Sequence, residues 1–288
     1  MKFTVALPML PPSHYVPLAQ RAEEVGFDNI AVPDSVFFPE HVSAGYPYSA
    51  DGERFWDADT PFLDPFVAIA AMAAVTSRLG FMTNVLKLAI RQPLLVAKTV
   101  SSIAALSDGR MSLGVGLSWI PEEFLWLSED KATRGKRTDE AMEIIRLTVE
   151  GDWAEYHGTY YDFARLKIRP GAPGPVPLYV GGTSDAGVRR AARLGDGWIS
   201  VVVGTEELTD VIRRLNEERI IAGTSDRDFE IKAISGDTFD LDGYRRLGDL
   251  GVTDTMVCPW YFFGGDPAEL SVQLDGLSRF AADVIDRW

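Results

Sequence analysis

The sequence predicts an α/β fold, a (β/α)8 TIM barrel that occupies residues 1–288 as a single domain. Short apolar stretches alternate with helical patterns about eight times along the chain, and eight such units close a parallel barrel of roughly 250 residues. No linker, low-complexity tract or sequence repeat divides the 288 residues. A doubly wound open sheet is the alternative, but it usually stops near six strands.

The elements are assigned in chain order from apolar runs and helical periodicity. The predicted strands are Phe3–Leu7, Asn29–Val32, Leu79–Leu86, Arg110–Val115, Leu178–Val180, Trp198–Val202, Phe229–Ala233 and Thr255–Cys258. The predicted helices are Tyr15–Val25, Asp64–Thr76, Pro93–Leu106, Thr138–Val149, Asp185–Leu194, Glu206–Ala222, Leu241–Leu250 and Pro267–Ile285.

Two insertions interrupt this alternation. Asp34–Leu63 follows strand two and is rich in Pro, Gly, Asp and aromatic residues. Its length is that of a lid and exceeds that of a simple connection. Glu155–Pro177 precedes strand five and contains EYHGTYYDF, which resembles a small hairpin. Loops that follow barrel strands lie on the catalytic face, so the first insertion is the better functional candidate.

Composition limits the partners. The chain has 28 Lys and Arg against 42 Asp and Glu, a net charge of −14, which argues against nucleic acid and anionic membranes. The single cysteine, Cys258, fits a reducing compartment. The most apolar run, Phe66–Val75, is too short to span a bilayer. We therefore expect a cytoplasmic protein that acts on a small molecule.

The segment VGGTSD joins strand five to the next helix. Gly181 and Gly182 let a ligand approach the backbone, while Thr183, Ser184 and the helix N-terminus offer hydrogen-bond donors. This chemistry suits a phosphate. The alternative is that Ser184 caps the helix and the glycines serve close packing.

Other strand ends carry small or polar residues. Gly114 and Gly116 either receive a flat ligand or fill a crowded barrel interior. Asn84 is polar within an apolar strand, and Asp34 ends strand two. His14, His41 and His157 have no metal-ligand spacing, so no metal site is predicted.

Several segments together resemble the luciferase-like monooxygenase superfamily. They are VPDSVFFP, LGFMTNVLKLAIRQPLLVAKTV, LSDGRMSLGVGLSWIPEEF, RGKRTDEAMEIIR and VGGTSDAGVRRAARLGDGWI. The chain is most similar to the branch of coenzyme F420-dependent (deazaflavin) oxidoreductases. The similarity covers most of residues 1–200.

The resemblance implies a flavin or deazaflavin at the carboxyl ends of the strands. It implies a cofactor phosphate at Gly181, Gly182, Thr183 and Ser184, and a cis peptide bond between Asn84 and Val85 behind the ring. It also implies that Leu117, Ser118, Trp119 and Glu122 line the cofactor and that Asp34 lies near its polar edge. Superfamily members are commonly dimers, so the resemblance implies a homodimer.

The sequence departs from its relatives in two places. Asp34 is followed by Ser35 where many relatives have a histidine, and Trp119 replaces a glutamate that some deazaflavin dehydrogenases use. A sugar-phosphate dehydrogenase mechanism that needs this His–Glu pair is therefore not expected. His41, Tyr46 and Glu122 are the catalytic candidates, and His14 is a further one.

Three functions stay open. The first is hydride transfer between coenzyme F420 and a small organic substrate. The second is a monooxygenase that uses flavin mononucleotide (FMN). The third is a protein that binds a flavin or deazaflavin without catalysis.

Overall fold

The computed structural model describes residues 1–49 and 51–288. The strands are β1 Lys2–Ala6, β2 Asn29–Val32, β3 Gly80–Thr83, β4 Leu86–Lys87, β5 Met111–Gly116, β6 Ala154–His157, β7 Asp162–Leu166, β8 Leu178–Gly181, β9 Gly197–Val203, β10 Glu230–Ser235 and β11 Asp254–Val257. Eight parallel strands close a barrel in the order β1-β2-β3-β5-β8-β9-β10-β11, and β11 pairs with β1 to complete the ring. The predicted (β/α)8 barrel is therefore confirmed.

Helices cover the outside of this barrel. They are α1 Tyr15–Glu24, α2 Pro65–Ala73, α3 Pro93–Leu106, α4 Pro121–Trp126, α5 Arg134–Thr148, α6 Asp185–Leu194, α7 Thr205–Ala222, α8 Leu241–Asp249 and α9 Leu270–Asp283. Local sequence fixes several of their ends. Asp64 caps α2 by accepting hydrogen bonds from Phe66 N (2.9 Å) and Val67 N (3.2 Å).

Most predicted boundaries shift by one to three residues, as at α9, and three elements differ in other ways or by more. Strand three is two pieces, because the chain leaves the sheet between Thr83 and Leu86. The helix α5 begins at Arg134, four residues before the predicted Thr138, because its first turn is polar and carries no apolar periodicity. The helix α9 begins at Leu270 instead of Pro267, and the short helix α4 was not predicted.

Both predicted insertions are present. The hairpin before strand five consists of β6 (Ala154–His157) and β7 (Asp162–Leu166). Residues 34–49 and 51–63 contain no helix or strand. None of the helices in the described part of the chain is long and apolar enough to cross a membrane.

Strand alternation divides the core into two layers. Phe3 and Val5 of β1 pack outward against the helices, whereas Ala6 points into the barrel beside Met82 and Ile199. The helix–strand layer is the larger one, and it contains the apolar faces that the sequence periodicity predicts.

A buried charged cluster fills the amino-terminal end of the barrel interior. Lys232 Nζ lies 2.7 Å from Asp254 Oδ2 and 2.6 Å from Glu230 Oε2, and it sits 4.4 Å from the centre of the Tyr179 ring. Thr4 donates a hydrogen bond to Asp254 as well. Burial raises the pKa of Asp254, and the Lys232 charge opposes this effect. This cluster occupies the end of the barrel opposite the strand carboxyl ends.

Candidate active site

The break in strand three brings Val85 to the centre of the carboxyl face. The Asn84–Val85 peptide bond is cis, as the resemblance implies. A Cβ atom on Gly116 would lie 2.6 Å from Val85 Cγ2, and one on Gly181 would lie 3.1 Å from Val85 Cγ1. The two glycines therefore make room for the Val85 side chain. A Cβ on Gly114 would likewise lie 2.1 Å from Thr83 O, so Gly114 serves close strand packing.

Gly182 is different from these packed glycines. Its φ of +109° is a backbone conformation that residues with a side chain rarely adopt, and no heavy atom lies within 4 Å of its ideal Cβ position. The carbonyl oxygen of Gly182 accepts a hydrogen bond from Trp198 Nε1 at 2.9 Å. The backbone is thus held in place, and the space in front of it is open.

The neighbouring hydroxyl has a structural role. Ser184 Oγ accepts a hydrogen bond from Gly187 N at 3.2 Å and so caps α6. Arg214 donates to Thr183 O at 3.2 Å and pairs with the Asp185 carboxylate. The charge of Arg214 near Gly182 is therefore already paired with Asp185, and the N-terminus of α6 is the feature that suits an anionic ligand group there.

Asp34 is buried in an ion pair with Arg91. Its Oδ1 accepts a hydrogen bond from Arg91 Nη2 at 2.9 Å, and its Oδ2 accepts one from Lys87 N at 2.8 Å. The side chain of Asp34 is 1% exposed, so both carboxylate oxygens are used within the protein. Asp34 therefore links the end of strand two to the segment after Val85. The resemblance implies that Asp34 also contacts the cofactor, and that contact would use a carboxylate oxygen that already accepts a hydrogen bond within the protein.

The sequence analysis missed Glu123 and Lys87. Lys87 Nζ lies 2.5 Å from Glu123 Oε1, and Glu123 Oε2 accepts a hydrogen bond from Ser118 Oγ at 2.5 Å. Glu123 is fully buried. Ser118 adopts a φ of +63°, and its Oγ also accepts from Ile120 N at 3.2 Å. The sequence signal for this pair was a lysine at the end of an apolar strand. The strand pattern alone did not indicate which carboxylate that lysine would contact.

The loop after β5 also contacts the insertion that follows strand two. Glu122 Oε1 accepts a hydrogen bond from Ser43 N at 3.0 Å, and this bonding with Ser43 lowers the pKa of Glu122. The ring of Tyr46 lies 5.3 Å from that of Trp119 in an edge-on arrangement. Burial raises the pKa of Tyr46. Two of the catalytic candidates therefore lie where the insertion meets the segment after β5: Glu122 belongs to that segment, and Tyr46 contacts it through Trp119.

The other predicted residues have different surroundings. His41 is exposed on the insertion, and Leu117 packs in a small cluster with Ala89, Ile90 and Phe124. His14 Nδ1 lies 3.0 Å from Gln273 Oε1. Burial raises the pKa of Cys258 to about 12, so its thiol stays protonated.

Two concavities occur away from this face. One of about 500 Å³ lies beside Met1, Arg245 and Trp288, and one of about 440 Å³ lies between α8 and α9. Neither includes any of the residues discussed above as site residues. Across residues 1–49 and 51–288, no group of three His, Cys, Asp or Glu side chains is placed to hold a metal ion.

The fold and these loops define a TIM barrel whose glycines, polar pairs and aromatic residues gather at the carboxyl ends of its strands, the face on which barrel enzymes carry their active sites. More specifically, the chain belongs to the luciferase-like monooxygenase family, whose model matches residues 4–235. The match continues past Ser200, where the motif resemblance ends.

Relatives with related sequences include uncharacterized protein Rv0940c of Mycobacterium tuberculosis, which is 43% identical over 99% of both chains. An F420-dependent glucose-6-phosphate dehydrogenase of Nakamurella multipartita is 31% identical over 66% of this chain and 52% of its own length.

Solved structures share the fold. The coenzyme F420-dependent tetrahydromethanopterin reductase of Methanopyrus kandleri covers 99% of both chains with a TM-score of 0.76 and 15% identity. An F420-dependent secondary alcohol dehydrogenase, in complex with an F420-acetone adduct, covers 99% of this chain and 98% of its own at a TM-score of 0.76 and 17% identity. At these identities the likeness extends to the fold alone.

Proposed function

We propose that this chain is an oxidoreductase that transfers a hydride between coenzyme F420 and a small organic substrate. The observation that carries the proposal is the open backbone at Gly182, directly after Gly181, which packs against Val85. The open backbone offers a binding position for a phosphate, and Val85 offers a surface for a flat ring. The F420-dependent relatives favour the deazaflavin over FMN.

The described residues fit such a cofactor. Gly182, Thr183 and the nearby Arg214 would hold its phosphate, and Val85 would support the ring. Bound F420 supplies a hydride donor or acceptor, and the protein orients the ring and excludes water. Buried polar contacts hold the loops after β2, β3 and β5 around this position. They are the Lys87–Glu123–Ser118 and Asp34–Arg91 contacts.

Tyr46 is our proposed proton donor. At neutral pH the Tyr46 hydroxyl is protonated, as in any tyrosine, and its ring lies beside Trp119, whereas Glu122 is a carboxylate that anchors Ser43. Replacing Tyr46 with Phe should therefore lower turnover without displacing the ring from Trp119.

A titration of the purified protein with F420 and, separately, with FMN tests the cofactor. We expect F420 to bind more tightly than FMN, and we expect reduced F420 to pass its hydride, without oxygen, to an added acceptor that carries an electron-poor double bond, imine or carbonyl. Tighter binding of FMN, or oxygen consumption in step with product, would replace this proposal with the monooxygenase function.

Substitution of Gly182 by Val locates the phosphate. A valine there would fill the open space in front of the backbone, so F420 binding should be lost. The matched control is Gly223→Val at the end of α7, where φ is also positive (+68°) and no atom lies within 4 Å of the Cβ position. Equal F420 affinity in the two variants would contradict the assignment.

A further inference from the structure

The insertion after strand two presents a cluster of aromatic rings to the loop that follows β5. Tyr46 is the centre of this aromatic cluster. Its ring lies 5.1 Å from that of Trp56, 5.8 Å from Phe55, 5.5 Å from Tyr48 and 5.3 Å from Trp119. Edge-on pairs at these separations are favourable arrangements for aromatic side chains.

Trp119 connects the aromatic cluster to the proposed cofactor site through its position in the sequence. It lies three residues after Gly116, which packs on Val85, and it directly follows Ser118, whose hydroxyl is held by Glu123. Part of the cluster stays open to solvent, since Phe55 is 72% and Tyr48 is 54% exposed. Large exposed aromatic side chains beside a site indicate a surface that binds a ligand.

The charge around the cluster is negative. Residues 34–63 contain six Asp or Glu and a single basic residue, Arg54. Arg54 is engaged within the insertion, because it donates to Pro39 O at 3.1 Å and stacks 3.5 Å from the centre of the Phe38 ring. Two further cations of this face are also paired, Lys87 with Glu123 and Arg91 with Asp34, so Asp34 adds no unpaired charge to the six.

The groups proposed to bind the cofactor phosphate are separate from the aromatic cluster. Gly182 and Thr183 follow strand β8, and Arg214, which pairs with Asp185, lies on α7, whereas the aromatic cluster follows β2 and β5. The excess of carboxylates in the insertion makes this region electrostatically unfavourable for a substrate phosphate or carboxylate, and Lys131 is the cation whose charge acts on the neighbouring Glu122.

We propose that the substrate is an uncharged molecule with an aromatic or extended apolar face, bound against Tyr46, Trp56 and Trp119. This proposal rests on the proposed function for its location beside the cofactor. It separates the chain from the relative named as a glucose-6-phosphate dehydrogenase, whose name states an anionic substrate.

The test compares probes that differ mainly in charge. Cinnamaldehyde is the uncharged probe, 4-carboxycinnamaldehyde is its anionic counterpart, and glucose 6-phosphate is a polar anion. Their dissociation constants are measured by isothermal titration, with the protein first saturated with F420 and then without it. We expect cinnamaldehyde to bind at least about tenfold more tightly than either anion, a difference of about 1.4 kcal/mol.

Two variants of Tyr46 identify the surface. Tyr46→Ala should weaken cinnamaldehyde binding by about tenfold through loss of ring contacts, and Tyr46→Phe should leave it within about twofold. Tyr156→Phe, on the hairpin that precedes strand five, is the control that should change nothing. Tighter binding of an anion, or no effect of Tyr46→Ala, overturns the proposal.

The same titrations separate this inference from the proposed function. Absence of F420 binding rejects the cofactor, and the probe series on the cofactor-free protein still decides the substrate's charge. Normal F420 binding with a preference for the anionic probe rejects only the uncharged substrate.

Discussion

Replacing Glu123 with Gln should destabilise the protein by about 3–5 kcal/mol, the usual result of breaking a buried ion pair. Glutamine keeps the shape of the side chain and an oxygen that can accept from Ser118, so the change removes mainly the charge. The Lys87 side chain, only 11% exposed, would then lose its counter-charge. A loss of this size is a large part of a typical unfolding free energy of about 5–15 kcal/mol.

The measurement is urea unfolding at neutral pH, followed by tryptophan fluorescence. The midpoint should fall while the slope against urea stays the same, because the surface exposed on unfolding does not change. The control is Glu217→Gln in the Arg213–Glu217 pair, where both side chains are more than half exposed (57% and 58%). That variant should change stability by about 0.5 kcal/mol or less.

A double-mutant cycle completes the test. Lys87→Met alone leaves the Glu123 carboxylate buried without its partner and should also cost about 3–5 kcal/mol. The variant with both changes removes both charges, so its loss should be well below the sum of the two single losses. Additive losses, or a loss below about 1 kcal/mol for Glu123→Gln, would refute this account of the pair.

Two further predictions concern packing and pH. Gly116→Ala would place a methyl group 2.6 Å from Val85 Cγ2, so it should destabilise the fold by about 1–3 kcal/mol and weaken F420 binding. Adding Val85→Ala should restore stability in the same unfolding assay. If stability does not recover, this contact is not the cause of the loss. Burial alone would raise the pKa of Glu23, but hydrogen bonds from the backbone of Arg78, Leu79 and Ser77 lower it from 4.5 to about 2. The stability that this depressed pKa contributes is present above pH 4.5 and is lost as the pH falls towards 2, so Glu23→Gln should flatten unfolding free energy over that range; an unchanged pH profile would contradict it.

The site was predictable from sequence only in part. The cis bond at Asn84–Val85 came from motif resemblance and is present in the structure. The phosphate position at Gly182 came from the glycines ahead of a helix start, and it stays a prediction. The ligand contacts of the cofactor-binding residues, the single domain and the homodimer stay predictions. Glu123 was missed because one of two adjacent glutamates in the first turn of a short helix is expected to be solvated until the strand that carries Lys87 is placed beside it.

The sequence by itself determined the barrel. Period-two and period-3.6 apolar patterns, helix caps such as Asp64 and the count of eight units are local properties, and burying all these apolar faces together requires closure of the sheet. Only the tertiary structure decided which polar groups meet at the carboxyl face. Asp34 pairs with Arg91 although 57 positions separate them in the sequence, and Lys87 pairs with Glu123 although 36 positions separate them. These residues come into contact only because parallel strands end on the same side of a closed barrel.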